Sequence, residues 1–389
     1  MTTLVEVRDR VRQLLEENWD ADRGYCVPNP DTYPHLWLWD SCFHALVWAA
    51  LEDPRAVVEL EATLAGQLRD GLVPHMRYGP AGPDTFLGPL AATSSLAQPP
   101  MFGHAVRVLR DRGFTLSDET LARARRGLEW LWTRRRDTES GLLFVVHPWE
   151  AGNDHSPRWD DWDAPGRTPE DYDRAARTAW NKALMADVTF ADDGAATWSS
   201  RFAAAPAGFN AYVAFNLREL GETTGDSELL GWAAELAAAV DERLWSPRER
   251  LWRDLGIVGG GPSELIPISD GLMAALVTDD GAKAAAALDQ LLDDRRFHAP
   301  FGPTNVARTH HAYDPGMYWR GPAWPNLNYL LWLALRRWGR RQEARDLANL
   351  TMTGAVASGW AEYWNPETGG GLGARPQSWT GLVLRMLAE

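Results

Sequence analysis

The chain has 389 residues, 45% hydrophobic and 24% charged, with a net charge of −14. That length carries a large buried core, and the acidic balance argues against nucleic acid or anionic membrane as partners, since both select basic surfaces. A small substrate with one carboxylate stays compatible, because local arginines reverse the field inside a cleft.

No basic segment precedes an apolar run at the N-terminus, so no secretory signal is expected. Nowhere do about 18 apolar residues run together, so no membrane span is expected and the cytoplasm is the expected compartment. Val5, Val7, Val11, Leu14 and Leu15 mark a first amphipathic helix. Helical stretches are expected over 38–51, 54–70, 95–112, 117–135, 208–222, 226–243, 268–277, 280–292, 321–337, 340–355 and 376–388. Asp53-Pro54, Ser117 and Asp226 are start signals for three of them. Cys26 and Cys42, the two cysteines, are too few for a disulfide framework and are expected to be buried and reduced.

Leu142-Leu143-Phe144-Val145-Val146 is the best strand candidate, and it is short. Twelve helices with almost no strand predict an all-α fold of six helix hairpins packed as a barrel of inner and outer helices. The whole chain, 1–389, reads as one domain. Two long connections, about 136–207 and about 294–320, interrupt the helices; connections of that length are usually functional. The first reads as a lid or cap over a cleft. Its acidic run, Asp160, Asp161 and Asp163, lacks the twelve-residue calcium-loop pattern and reads as a solvated loop. Gly259-Gly260-Gly261 is a flexible turn, not a phosphate loop, because no Lys-Ser/Thr follows.

Tryptophan is the compositional outlier, with 21 Trp against 9 Tyr. Trp fills helical cores, but it also packs flat against sugar C–H faces while its N–H bonds a hydroxyl. Trp37-Leu38-Trp39-Asp40, Tyr318-Trp319-Arg320 and Tyr363-Trp364-Asn365 set Trp beside polar groups, which favours a binding cleft.

Glycoside hydrolysis needs two carboxyls, one protonated and one ionised. The segment His147 to Trp159 offers Glu150 and Asp154 among Trp149, Gly152, Asn153 and Ser156; an alternative is that either one caps a helix or pairs with Arg158. Gly359 to Gly371 offers Glu362, set among aromatics, and Glu367, which reads as a turn residue. Asp40 opens a helix in Leu36 to His44, as a helix-start acid or as a ligand for sugar hydroxyls. Asp314 to Asn328 is a fourth loop opening a helix. There is no Gly-x-Ser-x-Gly elbow and no cysteine pair with metal spacing. His310 and His311 are adjacent, expected on different faces, and poorly suited to a shared metal.

Taken together, Trp39-Asp40-Ser41-Cys42-Phe43-His44, Gln98-Pro99-Pro100, the Trp149 to Trp159 loop, Tyr318-Trp319-Arg320-Gly321-Pro322 and the Glu362 to Gly371 loop resemble glycoside hydrolase family 63 and its small bacterial mannosylglycerate and glucosylglycerate hydrolases. The resemblance runs from about Asp31 to the C-terminus. It implies an (α/α)6 barrel and an inverting mechanism on a small sugar substrate, with no metal and no cofactor. By position it implies Asp154 as general acid and Glu362 as general base. Trp39, Asp40, Gln98, Trp149, Glu150, Tyr318, Trp319 and Gln377 are expected to bind substrate, with Arg174 toward the aglycone. Trp180 stands where a tyrosine donor to a carboxylate is expected. The alternatives are a trehalase-like or oligosaccharide α-glucosidase on the same barrel, and a sugar epimerase, for which His155 and His44 are the nearest histidines.

Overall fold

The computed structural model describes residues 3–160, 162, 168–260 and 266–388. Asp161, Asp163, the Pro165-Gly166-Arg167 stretch and Gly261 lie outside the described residues. The described chain is mostly helical. Its twelve α-helices are α1 (Leu4–Glu17), α2 (Leu38–Ala50), α3 (Arg55–Leu64), α4 (Phe102–Asp111), α5 (Asp118–Arg134), α6 (Arg174–Leu184), α7 (Ala207–Thr224), α8 (Ser227–Arg243), α9 (Gly281–Leu291), α10 (Pro325–Arg337), α11 (Arg341–Ala357) and α12 (Leu382–Leu387). The strands form six antiparallel two-stranded ladders.

Burial sorts these helices into two kinds. Every residue of α2 is buried, and α10 is buried from Pro325 through Trp332. By contrast α1 buries only Val7, Val11, Leu14 and Leu15, the single apolar stripe of an amphipathic helix with one wet face. The more deeply buried elements follow one another in space. α2 packs on α4, α4 on α7, α7 on the 3-10 helix Ser269–Leu276, that helix on α10, α10 on α12, and α12 back on α2. Each also carries an amphipathic partner: α3 on α2, α5 on α4, α8 on α7, α9 on the 3-10 helix, α11 on α10 and α1 on α12. No helix among the described residues is long and apolar enough to cross a membrane.

Several boundaries move for local reasons. The expected helix at 95–112 begins only at Phe102, because Pro99 and Pro100 hold the preceding chain extended. The helix expected from 321 begins at Pro325, the favoured first-turn position for proline. The 268–277 stretch is a 3-10 helix. Leu142 to Val146 is buried but forms no named strand, and its pairing is limited to isolated bridges, Leu143 with Arg136 and Val145 with Ala204. The connection at 136–207 is not structureless: it holds α6, three 3-10 turns and the short strands Val188–Phe190, Ala196–Ser199 and Ala203–Ala205. Asp160 is not solvated either. It is 3% exposed and receives Arg177 and Arg320, which ties the 147–160 loop, α6 and the 318–320 segment together.

Candidate active site

One cavity of about 260 Å³ opens at the loops that lead into α2, α10 and the 3-10 helix Ser378–Gly381. It lies just below the roughly 300–1,000 Å³ of small-molecule sites. Trp39, Asp40, Gln98, Trp149, Asp154, Arg174, Tyr318, Trp319, Glu362 and Gln377 all line it.

Asp154 follows a 3-10 turn, Pro148–Ala151, that stops at Gly152 in a left-handed conformation, φ +82°. A side chain at Gly152 would collide with the Trp39 ring, so glycine both makes the turn and lets that ring close the wall. Beyond it the loop is bolted down by Arg158, which pairs with Asp254 and with Asp270, and by Asn153, which donates to Asp270 at 2.7 Å. Asp154 Oδ2 accepts from Trp149 Nε1 at 3.1 Å and lies 3.0 Å from His155 Nε2. Burial acts to raise the Asp154 carboxyl, but the adjacent His155 and the Trp149 N–H hold it below the ordinary aspartate value.

Glu362 enters from the other side of the sequence. Its carboxylate accepts from Ala374 N at 2.9 Å and from the Tyr33 hydroxyl at 3.2 Å to each oxygen. Gly373, at φ +69°, leaves room for that carboxylate, which a side chain there would strike. Burial pushes Glu362 up to about 7, aided by the negative Asp154 and opposed by Ala374 N–H, Tyr33 and Arg174. The two candidate carboxyls therefore share one cavity with opposite shifts.

The remaining wall is polar at chosen points. Asp40 sits in the first turn of α2, 4% exposed, and burial pushes its carboxyl well up, with Gln377 Nε2 3.5 Å away. Gln98 is held in place by accepting from Trp39 N at 3.0 Å. Gln377 Oε1 and the indole N–H groups of Trp37 and Trp319 are buried and without a protein partner among the described residues, which suits them to ligand hydroxyls. Trp319 holds a left-handed φ of +54° and stacks on Trp324 with centroids 3.5 Å apart. Such a backbone costs about 1–3 kcal/mol and persists where packing over-determines it. Arg174 opens α6 at the cavity rim, its guanidinium 4.6 Å from the Tyr318 ring centroid.

Glu150 is not on the wall. It is fully buried, and each oxygen accepts two hydrogen bonds: Arg135 Nη2 at 2.6 Å and Ala97 N at 2.9 Å on Oε1, Arg135 Nη1 at 2.6 Å and Val146 N at 2.7 Å on Oε2. No lone pair is left for a substrate, so the expected binding role is corrected to a structural one, with Arg135 and not Arg158 as its partner. Glu367 is engaged by Arg308 at 2.8 and 2.9 Å and by Tyr313 at 2.8 Å. Trp180 packs into the core against Phe202. His44 is buried behind the wall, between Glu59 and Ser378. His310 and His311 do not point apart; their ring centroids are 4.2 Å from each other.

Tyr33, His75, Asp84, Phe86 and Trp379 also line the cavity, although none was expected there from sequence, and so does Trp37, from the stretch that pointed to a cleft. Trp379 stands two positions from Gln377, which was singled out, so proximity was a usable signal. Tyr33 gave none, since its partner lies 329 positions away.

Residues 33–380 match the sequence profile of the mannosylglycerate hydrolase MGH1-like glycoside hydrolase domain. The chain is 28% identical to a mannosylglycerate hydrolase of Thermus thermophilus over 95% of this chain and 98% of that one. It is 30% identical to a glucosylglycerate hydrolase of Mycolicibacterium hassiacum over 91% of this chain and 92% of that one. The crystal structure of a family 63 mannosylglycerate hydrolase from Thermus thermophilus with Tris and D-glycerate superposes with a TM-score of 0.83 at 25% identity, covering 98% and 99% of the two chains.

Proposed function

The chain belongs to the MGH1-like glycoside hydrolases of family 63, and from that membership we propose an inverting α-glycosidase acting on a small α-glucoside or α-mannoside such as glucosylglycerate or mannosylglycerate. Asp154 is the general acid and Glu362 the general base. The observation that carries this reading is a pair of carboxyls on one small aromatic cavity; which is acid and which is base rests on their matching positions in the family. The cyclic packing of six buried elements, each backed by an amphipathic one, supports an (α/α)6 barrel. The chain is one catalytic domain, with 136–207 as its cap.

In this mechanism Glu362 takes a proton from water as the oxygen attacks the anomeric carbon. The glycosidic C–O bond breaks, and the leaving oxygen takes the proton of Asp154. The sugar leaves with inverted configuration, and the aglycone leaves as an alcohol. Trp39, Trp319, Asp40, Gln98 and Gln377 hold the sugar. Arg174 binds a carboxylate on the aglycone. Turnover ends with Glu362 protonated and Asp154 ionised, which is the distribution the ligand-free site favours. The proton must return to Asp154 before the next cycle.

That proton bookkeeping fixes a pH profile. The active enzyme carries one proton on the two carboxyls, and the ratio of its two tautomers does not vary with pH. Raising the pH through about 7 removes that last proton, so kcat/KM should fall by about tenfold per pH unit beyond it. On the acid side a second proton arrives only below the ordinary aspartate range, because Asp154 is held low. A kcat/KM profile rising through neutrality into the alkaline would contradict the pairing. The substrate proposal is tested with glucosylglycerate, mannosylglycerate, trehalose and kojibiose, following the released anomer by NMR. Release of the β-anomer from either glycerate compound is expected. Release from trehalose or kojibiose alone would overturn the glycerate assignment, and release of the α-anomer would overturn inversion.

A further inference from the structure

A chain of three side chains runs from the cap into the cavity. The Tyr172 hydroxyl meets His155 Nδ1, and His155 Nε2 meets Asp154 Oδ2 at 3.0 Å. His155 is 4% exposed and Tyr172 8%. The imidazole also packs edge-on against Tyr318, centroids 5.3 Å apart, and lines the cavity. Three contacts thus fix one ring. The family resemblance assigns no role to the position between Asp154 and Ser156.

We infer that His155, held by Tyr172, is a positioning residue that locks the Asp154 carboxyl with Oδ1 as its proton-donating oxygen and stabilises the carboxylate that donation leaves. The inference rests on the reading of Asp154 as general acid. Its first support is directional. Trp149 Nε1 and His155 Nε2 both address Oδ2, at 3.1 and 3.0 Å, so Oδ1 is the oxygen left to carry a proton. The second is the tautomer. Asp154 Oδ2 can only accept from the ring, so a ring hydrogen sits on Nε2. That leaves Nδ1 to the Tyr172 hydroxyl, which holds the ring in place whichever of the two atoms donates. The third is chemical. When Asp154 Oδ1 gives its proton to the leaving oxygen, negative charge appears on a carboxylate already met by two N–H donors, and charge-assisted hydrogen bonds are the stronger kind. With both nitrogens engaged, His155 is not itself the acid or the base.

The test compares two leaving groups. Wild type, His155→Phe, His155→Gln, Tyr172→Phe and Asp154→Asn are assayed on whichever of glucosylglycerate and mannosylglycerate the wild type hydrolyses faster, and on the α-glycosyl fluoride of the same sugar. Fluoride departs with little proton donation. His155→Phe should lower kcat on the glycoside by about 10–100-fold, within reach of the 10²–10⁴-fold worth of general acid catalysis, and lower fluoride hydrolysis by less than about threefold. His155→Gln, which restores an N–H donor, should recover part of the loss. Tyr172→Phe should show the same split at smaller size. Retained fluoride hydrolysis reports that the site is folded. Equal losses on both substrates in the histidine and tyrosine variants, or no loss in either, would overturn the inference. If Asp154→Asn shows the split and these variants do not, the acid assignment stands and the positioning role falls. If Asp154→Asn keeps full activity on the glycoside, the acid assignment itself falls.

Discussion

Replacing Asp154 or Glu362 by its amide should cost about 10²–10⁴-fold or more in kcat, but the two losses should differ in kind. The Asp154→Asn variant has no acid proton to give, so the penalty is confined to leaving groups that need one. The Glu362→Gln variant cannot take a proton from water, so the attack itself is slowed and every leaving group suffers. On a glycoside both variants should therefore be nearly inactive, and on the matching α-glycosyl fluoride only Glu362→Gln should be. The comparison matters because the ligand-free electrostatics lean the other way. Asp154, met by His155 and Trp149, prefers to be ionised, and Glu362, where burial outweighs the groups that favour its charge, rises to about 7. If those ground-state preferences set the roles, Glu362→Gln would be the variant that retains fluoride hydrolysis. Substrate alters the balance: a leaving oxygen and an anionic aglycone beside Asp154 disfavour its carboxylate.

How much of this was legible beforehand follows from where each signal resides. The buried helices were readable because their apolar residues run together, and the carboxyl loops because Trp, Gly and acids mix there in a way no core uses. Helix α6 was missed for a physical reason. Its buried face is Arg177, Trp180, Asn181 and Leu184, which has helical spacing but is half polar. Arg177 is buried against Asp160, an ion pair that hydrophobic periodicity does not register. Nor does local sequence announce Arg158 with Asp254 and Asp270, or Tyr33 with Glu362. Each depends on a partner brought near only by the fold. The same limit explains the misreading of Glu150. Its neighbours in sequence, Trp149 and Gly152, line the cavity, whereas its side chain points to Arg135.

Glu150→Gln should consequently be a stability variant more than a binding variant. The pair with Arg135 is buried on both sides, at 1% and 0% side-chain exposure, and Glu150 also closes the backbone N–H groups of Ala97 and Val146. A glutamine amide can accept on one oxygen only, and its NH2 group would face Arg135 or a backbone N–H. Removing one partner of a buried pair costs about 3–5 kcal/mol, because the other charge stays desolvated and uncompensated. The chain segments tied together there are α5, the Ala97 stretch before Gln98, and the turn that carries Asp154, so the loosened variant should unfold at a clearly lower temperature or denaturant concentration. Glu367→Gln is the matched control. It too faces an arginine, but with side-chain exposures of 28% and 29%, and a partly solvated pair is worth roughly 0–1 kcal/mol. Replacing Arg135 and Glu150 together by Met and Leu should recover part of the stability, since it leaves no lone charge behind. If Glu150→Gln instead unfolded like wild type while KM for the substrate rose, Glu150 would be a substrate ligand after all, and its four protein hydrogen bonds would have to open when substrate enters.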